Sequence, residues 1–452
     1  MMLAVLALVL LLLVGGAVVL LRRKHVAHWV APAAAYRMGN WFVGRARPVH
    51  VLLAVADHWE PSLDGAGEEL AAQRVARWVE RWPEVAAAHR DADGCPPRHT
   101  WFYPWDEWRD GEVAALGRLC YDGLGEVELH LHHDRDTSER LRVELLRARE
   151  AFAQHGALLL CGDPTQPAYG FVHGDWALDN SRSDGQCCGV NDELIILAQT
   201  GCYADFTLPT PDSTQPRLVN RIYRATDNPR RPRSHDRGAP LTAGRRAPGD
   251  LLLIPGPLGF NLRDWHHGWY PAIEQGELAA PSPVCPVRSD FWVRTGVGVR
   301  GRRDWVFVKL HTHGCRERDV DEVLGEARHR LHRLLAQRYN DGERCVLHYC
   351  TARELANIAL AAEEGLGGDP GTWRDHRLPP PVNSVLLSAG SVAVARMSAA
   401  RGEIVALAPG EVRWELRLGP VACLTGPVRR LAWDGDAVTV EADGAYRLTR
   451  RA

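Results

Sequence analysis

The segment His130–Leu131–His132–His133–Asp134 places four potential metal or proton-transfer ligands within five positions. It closes the apolar-alternating run Val127–Leu131, where a strand should give way to a helix. Side chains alternate along a strand, so His130 and His132 share one face and His133 takes the other. Imidazoles with a carboxylate close by suit Zn²⁺, with Co²⁺, Ni²⁺ or Fe²⁺ as alternatives. Other apolar runs end in the same way. Val51–Ala56 leads into Asp57–His58–Trp59–Glu60, Tyr169–Val172 into His173–Gly174–Asp175–Trp176, and Trp305–Leu310 into His311–Thr312–His313–Gly314. In folds of alternating strands and helices the strand C-termini surround one pocket. Strand ends of this composition converging on one rim predict a divalent-metal site.

The elements that must position these residues follow from hydrophobic period. Glu68 to Ala88 carries Leu70, Val75, Trp78, Val79 and Val85 on one face and predicts an amphipathic helix. Further helices are expected over 137–154, 319–338 and 352–364. Strands are expected at Thr100–Tyr103, Cys202–Leu208, Leu251–Pro255 and Cys345–Tyr349. This alternation predicts a parallel α/β barrel domain over residues 47–381. An insertion at 208–249 is proline-rich and lacks helical period, as a lid or binding loop would. Between Arg217 and Arg246 it carries nine arginines against Asp227 and Asp236, which predicts a rim for phosphate or carboxylate groups. Residues 382–452 change style to short alternating runs broken by Gly, Asp and Pro, and predict a small antiparallel β module.

Composition narrows the class without naming it. With 46% hydrophobic and 24% charged residues the 452-residue chain is an ordinary globular protein. A formal net charge of −2 gives no reason to invoke nucleic acid as a partner. Eleven cysteines, including the vicinal Cys187–Cys188, lack CxxC spacing and fit a reducing compartment. Met2 to Leu21 is uninterruptedly apolar and is followed by Arg22–Arg23–Lys24. Such a stretch, as a helix, spans about 30 Å. No basic segment precedes it and no small-residue cleavage site follows, so residues 1–24 are expected to be an uncleaved membrane anchor. The charge cluster on its C-terminal side places the body in the cytoplasm. Trp29, Tyr36 and Trp41 are expected at the membrane interface.

The strand-end motifs resemble those of the polysaccharide deacetylase family, within the glycoside hydrolase/deacetylase barrel superfamily. Val55–Ala56–Asp57–His58 lies where that family carries an Asp pair, with His58 in place of the second acid. Glu126–Val127–Glu128–Leu129–His130 leads into the second motif, where Asp134 replaces a histidine. Val308–Lys309–Leu310–His311 sits near the late motif, while Phe171–Val172–His173–Gly174–Asp175–Trp176 occupies the region of an arginine-proline motif that is not evident. The resemblance runs from about Val49 to Ala362 at strand ends only. It implies a (β/α)7-type barrel and a divalent metal, zinc first, held by His58, His130 and Asp134. His132 is an alternative ligand. Asp57 would be general base and His311 general acid, with His313 an alternative acid. The implied substrate is an N-acetylated sugar, or a lipid-linked glycan in view of the anchor. His173, Asp175, Asp179 and His235 are candidates for binding it, with Trp176 stacking on the sugar and Trp59, Trp101 and Trp105 as further platforms.

Two other readings stand beside this one. A metal-independent glycoside hydrolase would draw its acid and base from Asp57, Glu60, Asp134 and Asp175. A membrane-tethered glycan-binding or assembly protein would keep the barrel without the chemistry.

Overall fold

Val49–His58 forms the first strand, β1, and is buried almost throughout. Its nearly continuous apolar run is what a strand covered on both faces requires. The computed structural model describes residues 15, 26–41, 44, 46–154, 159–160, 167–265, 271–378 and 380, and beyond these Asp443 and eight strands between 384 and 450. Helix α1 (Ala27–Trp41) precedes β1. After it come α2 (Glu68–Ala87), β2 (His99–Pro104), α3 (Asp110–Tyr121), β3 (Gly125–Leu131), α4 (Ser138–Gln154), β4 (Leu159–Leu160) and β5 (Pro167–His173). Then follow α5 (Glu193–Thr200), β6 (Cys202–Asp205), β7 (Tyr223–Ala225), β8 (Gly238–Pro240), β9 (Leu251–Leu253), β10 (Gly259–Asn261) and β11 (Ala272–Glu274). The last part of this region holds α6 (Pro286–Thr295), β12 (Trp305–Thr312), α7 (Val320–Leu324), α8 (Glu326–Tyr339), β13 (Cys345–Tyr349) and α9 (Ala352–Glu363).

Strands join in an eleven-stranded sheet with the order β12-β1-β2-β3-β5-β6-β9-β7-β8, β13 pairing with β1 and β4 with β5. From β12 to β9 every pairing is parallel. The alternation of β1 divides its side chains between two cores. Leu52, Ala54 and Ala56 pack with Phe102, Val172, Phe206, Phe307 and the apolar side of α9, which defines the inner face. Val51, Leu53 and Val55 pack outward with Trp292 of α6 and Leu331 and Leu335 of α8. On β3 the outward residues are Val127, Leu129 and Leu131, against Trp78 and Trp82 of α2 and Leu141 and Leu145 of α4. Each fully buried aliphatic side chain of this kind contributes roughly 1.5–3 kcal/mol. Glu126, Glu128 and His130 are left to the inner face, all buried.

The expected α/β class with a mostly parallel sheet is present, but among the described residues the ladder does not close into a barrel. Two features account for this. The free edge of β9 is taken by β7, which runs antiparallel to it and pairs with β8. Among the described residues no strand pairs with the free edge of β12, which carries a bridge between Glu277 and His311 and a hydrogen bond from the Phe307 amide to the Val297 carbonyl. Lys309 on β12 nevertheless donates across the interior to the carbonyls of Phe206 and Leu208. The insertion is therefore not the structureless loop expected. Its strands extend the sheet, and Arg224 and Arg233 are committed within the chain, while Arg217, Arg230, Arg231, Arg237, Arg245 and Arg246 stay exposed. Arg224 pairs with Glu363 at 2.7 Å, and Arg233 donates to the Ser181, Ser213 and Gln215 carbonyls.

The segment expected at the membrane interface also docks on the body. Trp29 is fully buried beside Val219 and Leu258, and the Tyr36 hydroxyl donates to the Gly296 carbonyl at 2.7 Å. Residues 1–14 and 16–24 of the expected anchor lie outside the described residues. Among the described residues no helix is long and apolar enough to cross a membrane. Beyond Ser384 the chain forms β14 (Ser384–Ala389), β15 (Val394–Ser398), β16 (Glu403–Ala406), β17 (Gly410–Leu416), β18 (Val421–Thr425), β19 (Val428–Asp434), β20 (Ala437–Ala442) and β21 (Tyr446–Arg450). These make two four-stranded sheets, both antiparallel throughout.

Candidate metal centre

β1 ends in Asp57 and His58, and adjacent residues of a strand face opposite ways. His58 continues the inner face, where it meets histidines from two other strands. Its ring centroid lies 5.2 Å from that of His130 on β3, 5.0 Å from His313 and 6.4 Å from His311 at the end of β12. Past the strand end Glu60 turns back over the same point. Its Oε1 lies 2.9 Å from His130 Nε2 and 3.1 Å from His132 Nε2. One ligand atom from each of His58, Glu60 and His130 falls within 4.8 Å of the others. Zinc bonds of about 2.0–2.2 Å set tetrahedral ligand atoms about 3.3–3.6 Å apart, so the cluster is near the size a metal needs.

The hydrogen bonds around the cluster orient it. His130 Nδ1 donates to the Val172 carbonyl at 2.7 Å, which turns Nε2 toward Glu60. His58 Nε2 is buried without a hydrogen-bond partner, a state that costs free energy unless something else fills it. His132 is held on its other side by Asp106 at 3.1 Å. Burial pushes His58 and His311 well below the ordinary imidazole range and His313 down to about 4, so these rings are neutral donors of electron pairs. Burial also opposes charge on His132, but its hydrogen bonds to Asp106 and Glu60 overcome it and raise that ring to about 10. The Glu60 carboxyl would be raised by burial, yet the hydrogen bonds from His130 and His132 hold it well below the carboxylate range. Trp176, partly buried, roofs the group with its ring 5.3 Å from His58 and 5.6 Å from His313. Gly174 permits this approach, since a Cβ there would collide with the His132 ring.

Of the residues expected from sequence, His58, His130, His132, His311, His313 and Trp176 come together. Asp57 does not. It faces outward, fully buried, with Oδ1 accepting from the Gly314 amide at 2.6 Å and Oδ2 2.9 Å from His99 Nε2. Asp134 stands on an exposed turn and accepts from the Cys187 amide at 2.7 Å. The carboxylate at the cluster is Glu60, two residues beyond the end of β1. Asp175 is exposed, and the set of carboxylates proposed for a glycosidase is thereby dispersed. Asp179 and His235 are both fully buried and tie loops together, Asp179 accepting from the Ser234 amide and His235 Nε2 meeting the Thr214 carbonyl at 3.0 Å. Trp59 and Trp101 belong to the outer core. Trp105 donates to Glu144 at 3.1 Å. His173 lies on the outer face, as the register of Leu131 with His173 requires. No family model matches the chain, and no curated protein matches it.

Proposed function

We propose that the chain is a metal-dependent hydrolase that removes an acyl group from an amino sugar or related glycan, in the manner of a deacetylase. The observation that carries this reading is the convergence of His58, Glu60 and His130 at the C-terminal ends of parallel strands, with His58 Nε2 buried and unpartnered. Neutral imidazoles and one carboxylate fit a borderline cation such as zinc. When bound, the metal supplies Lewis acidity toward the acyl carbonyl and toward water. The protein's own groups do the rest. Val172 and Glu60 fix the His130 ring, and Asp106 fixes His132. His313 is the best-placed proton carrier, because it is slightly exposed while His311 is sealed below it at 2% exposure. A neutral His313 can take a proton from the attacking water and return it to the leaving amine or alkoxide. Trp176 offers an apolar roof suited to the C–H face of a sugar ring and keeps bulk water from the cluster.

The test is acetate release from acetylated chito-oligosaccharides and acetylated xylan. Release should vanish on chelation and return with Zn²⁺, and His130→Ala should lose the metal with its activity. Acetate release indifferent to chelator would overturn the assignment.

A further inference from the structure

A second group of ligands lies on the outer face of the sheet: His133 after β3, His173 at the end of β5, Cys188 in the connection that follows, and Glu193 in the first turn of α5. Each offers one donor atom, and all the donors fall within 4.8 Å of one another. His133 Nε2 and His173 Nε2 approach the same oxygen, Glu193 Oε1, at 3.2 and 3.3 Å. Cys188 Sγ lies 3.6 Å from Glu193 Oε2. We propose that these side chains form a closed, structural zinc site, distinct from the centre on the inner face and independent of the hydrolase reading.

The hydrogen bonds make the case. His173 Nδ1 lies 2.5 Å from the Gly174 carbonyl, an acceptor, so the ring proton must sit on Nδ1. The Nε2 lone pair then points at a carboxylate oxygen, two acceptors facing each other with no proton between them. Nε2 accordingly has no hydrogen-bond partner, although the residue is fully buried. A cation between them resolves this. His133 Nδ1 lies 3.3 Å from Asp136 Oδ2 but makes no hydrogen bond to it, so this ring too carries a buried nitrogen without a partner. Two neutral imidazoles, a thiolate and a carboxylate sum to two negative charges, which a dication cancels in an interior lined by Leu178, Val190 and Leu197. Four protein ligands leave no open position, the mark of a structural rather than catalytic site. The pair His50 and His348 differs in kind, because His50 Nδ1 and His348 Nε2 are 2.9 Å apart and satisfy each other.

The site would staple the end of β5 to α5 on either side of Trp176. Its loss should therefore loosen the roof over the inner-face centre. The experiment uses the full chain loaded with Co²⁺ or Zn²⁺, because only the outer site contains sulfur. The Co²⁺ protein should show thiolate-to-metal charge-transfer absorption, and X-ray absorption of the Zn²⁺ protein should show a sulfur neighbour at about 2.3 Å, about half a sulfur per zinc with both sites filled and about one when only the outer site is filled. His58→Ala should remove the inner metal and leave both signatures, and Cys188→Ser should abolish them. If Cys188→Ser does not fold, the wild type and His58→Ala decide the matter alone. Fully metal-loaded protein lacking both sulfur signatures would overturn the proposal, as would signatures that persist in Cys188→Ser.

Discussion

His311 and His313 stand two positions apart on the same face of β12, yet their surroundings assign them different work. His311 is buried below the cluster, whereas His313 touches both His58 and Trp176. His313→Ala should lower turnover roughly 10²–10⁴-fold, with a much smaller loss on esters of good leaving groups that need no proton. Equal losses on good and poor leaving groups would make His313 a ligand or a packing residue. Glu60 makes the opposite prediction. Glu60→Gln keeps the shape but removes the charge, so metal analysis should find the inner site weakened while the outer site stays filled. Stoichiometric inner metal in that variant would remove Glu60 from the ligand set.

At the scale of the elements, the decisive feature is the alternation at the end of β1, which gives His58 to the site and Asp57 to the packing of α2. Asp57 binds the Gly314 amide, and Trp78 of α2 donates to the Gly314 carbonyl at 3.0 Å. No side chain fits at Gly314, where a Cβ would strike the Asp57 carboxylate. Asp57→Ala should therefore cost stability, about 1–3 kcal/mol for the buried donor left unpaired, while leaving metal content intact. Denaturant unfolding combined with metal analysis checks this, and a variant of full stability without inner metal would contradict it. A second tie joins α9 to β3. Arg353 Nε and Nη2 donate to Glu126 Oε1 at 2.9 and 2.8 Å, and its Nη1 donates to the Leu378 carbonyl at 2.8 Å. Both partners are buried, so Arg353→Met strands a charge and should cost about 3–5 kcal/mol in the same unfolding measurement.

For the whole molecule, the sequence before α1 still bears on where the protein works. If Met2–Leu21 followed by Arg22–Arg23–Lys24 is the membrane anchor its pattern leads one to expect, the charge asymmetry would put the body in the cytoplasm. A fluorescent reporter fused after Ala452 should report a cytoplasmic C-terminus, and an alkaline phosphatase fusion there should stay inactive. The reverse pair of results would place the sites on the exported side and turn the substrate search from lipid-linked precursors to finished polymers.

Local pattern alone determined much of this protein. The helix expected at Glu68–Ala88 is α2 to within a residue, and Cys345–Tyr349 is β13 as read. The histidines at strand ends were visible because a parallel sheet gathers its C-terminal edges and because period two already assigns each residue a face. That same period, applied to Asp57, would have removed it from the site, since it faces opposite to His58, whereas Asp134 lies beyond the end of β3 on a turn where no strand period applies. What only the tertiary structure decided was which distant residues complete each cluster. Glu60 lies past the end of its strand, Cys188 sits in a connection with no regular period to predict where its side chain points, and Glu193 opens the short helix α5 that follows it. The insertion turned from loop to sheet for the same reason: β7 finds its partner in β9, a pairing set by the open edge of the sheet rather than by the proline-rich sequence between them.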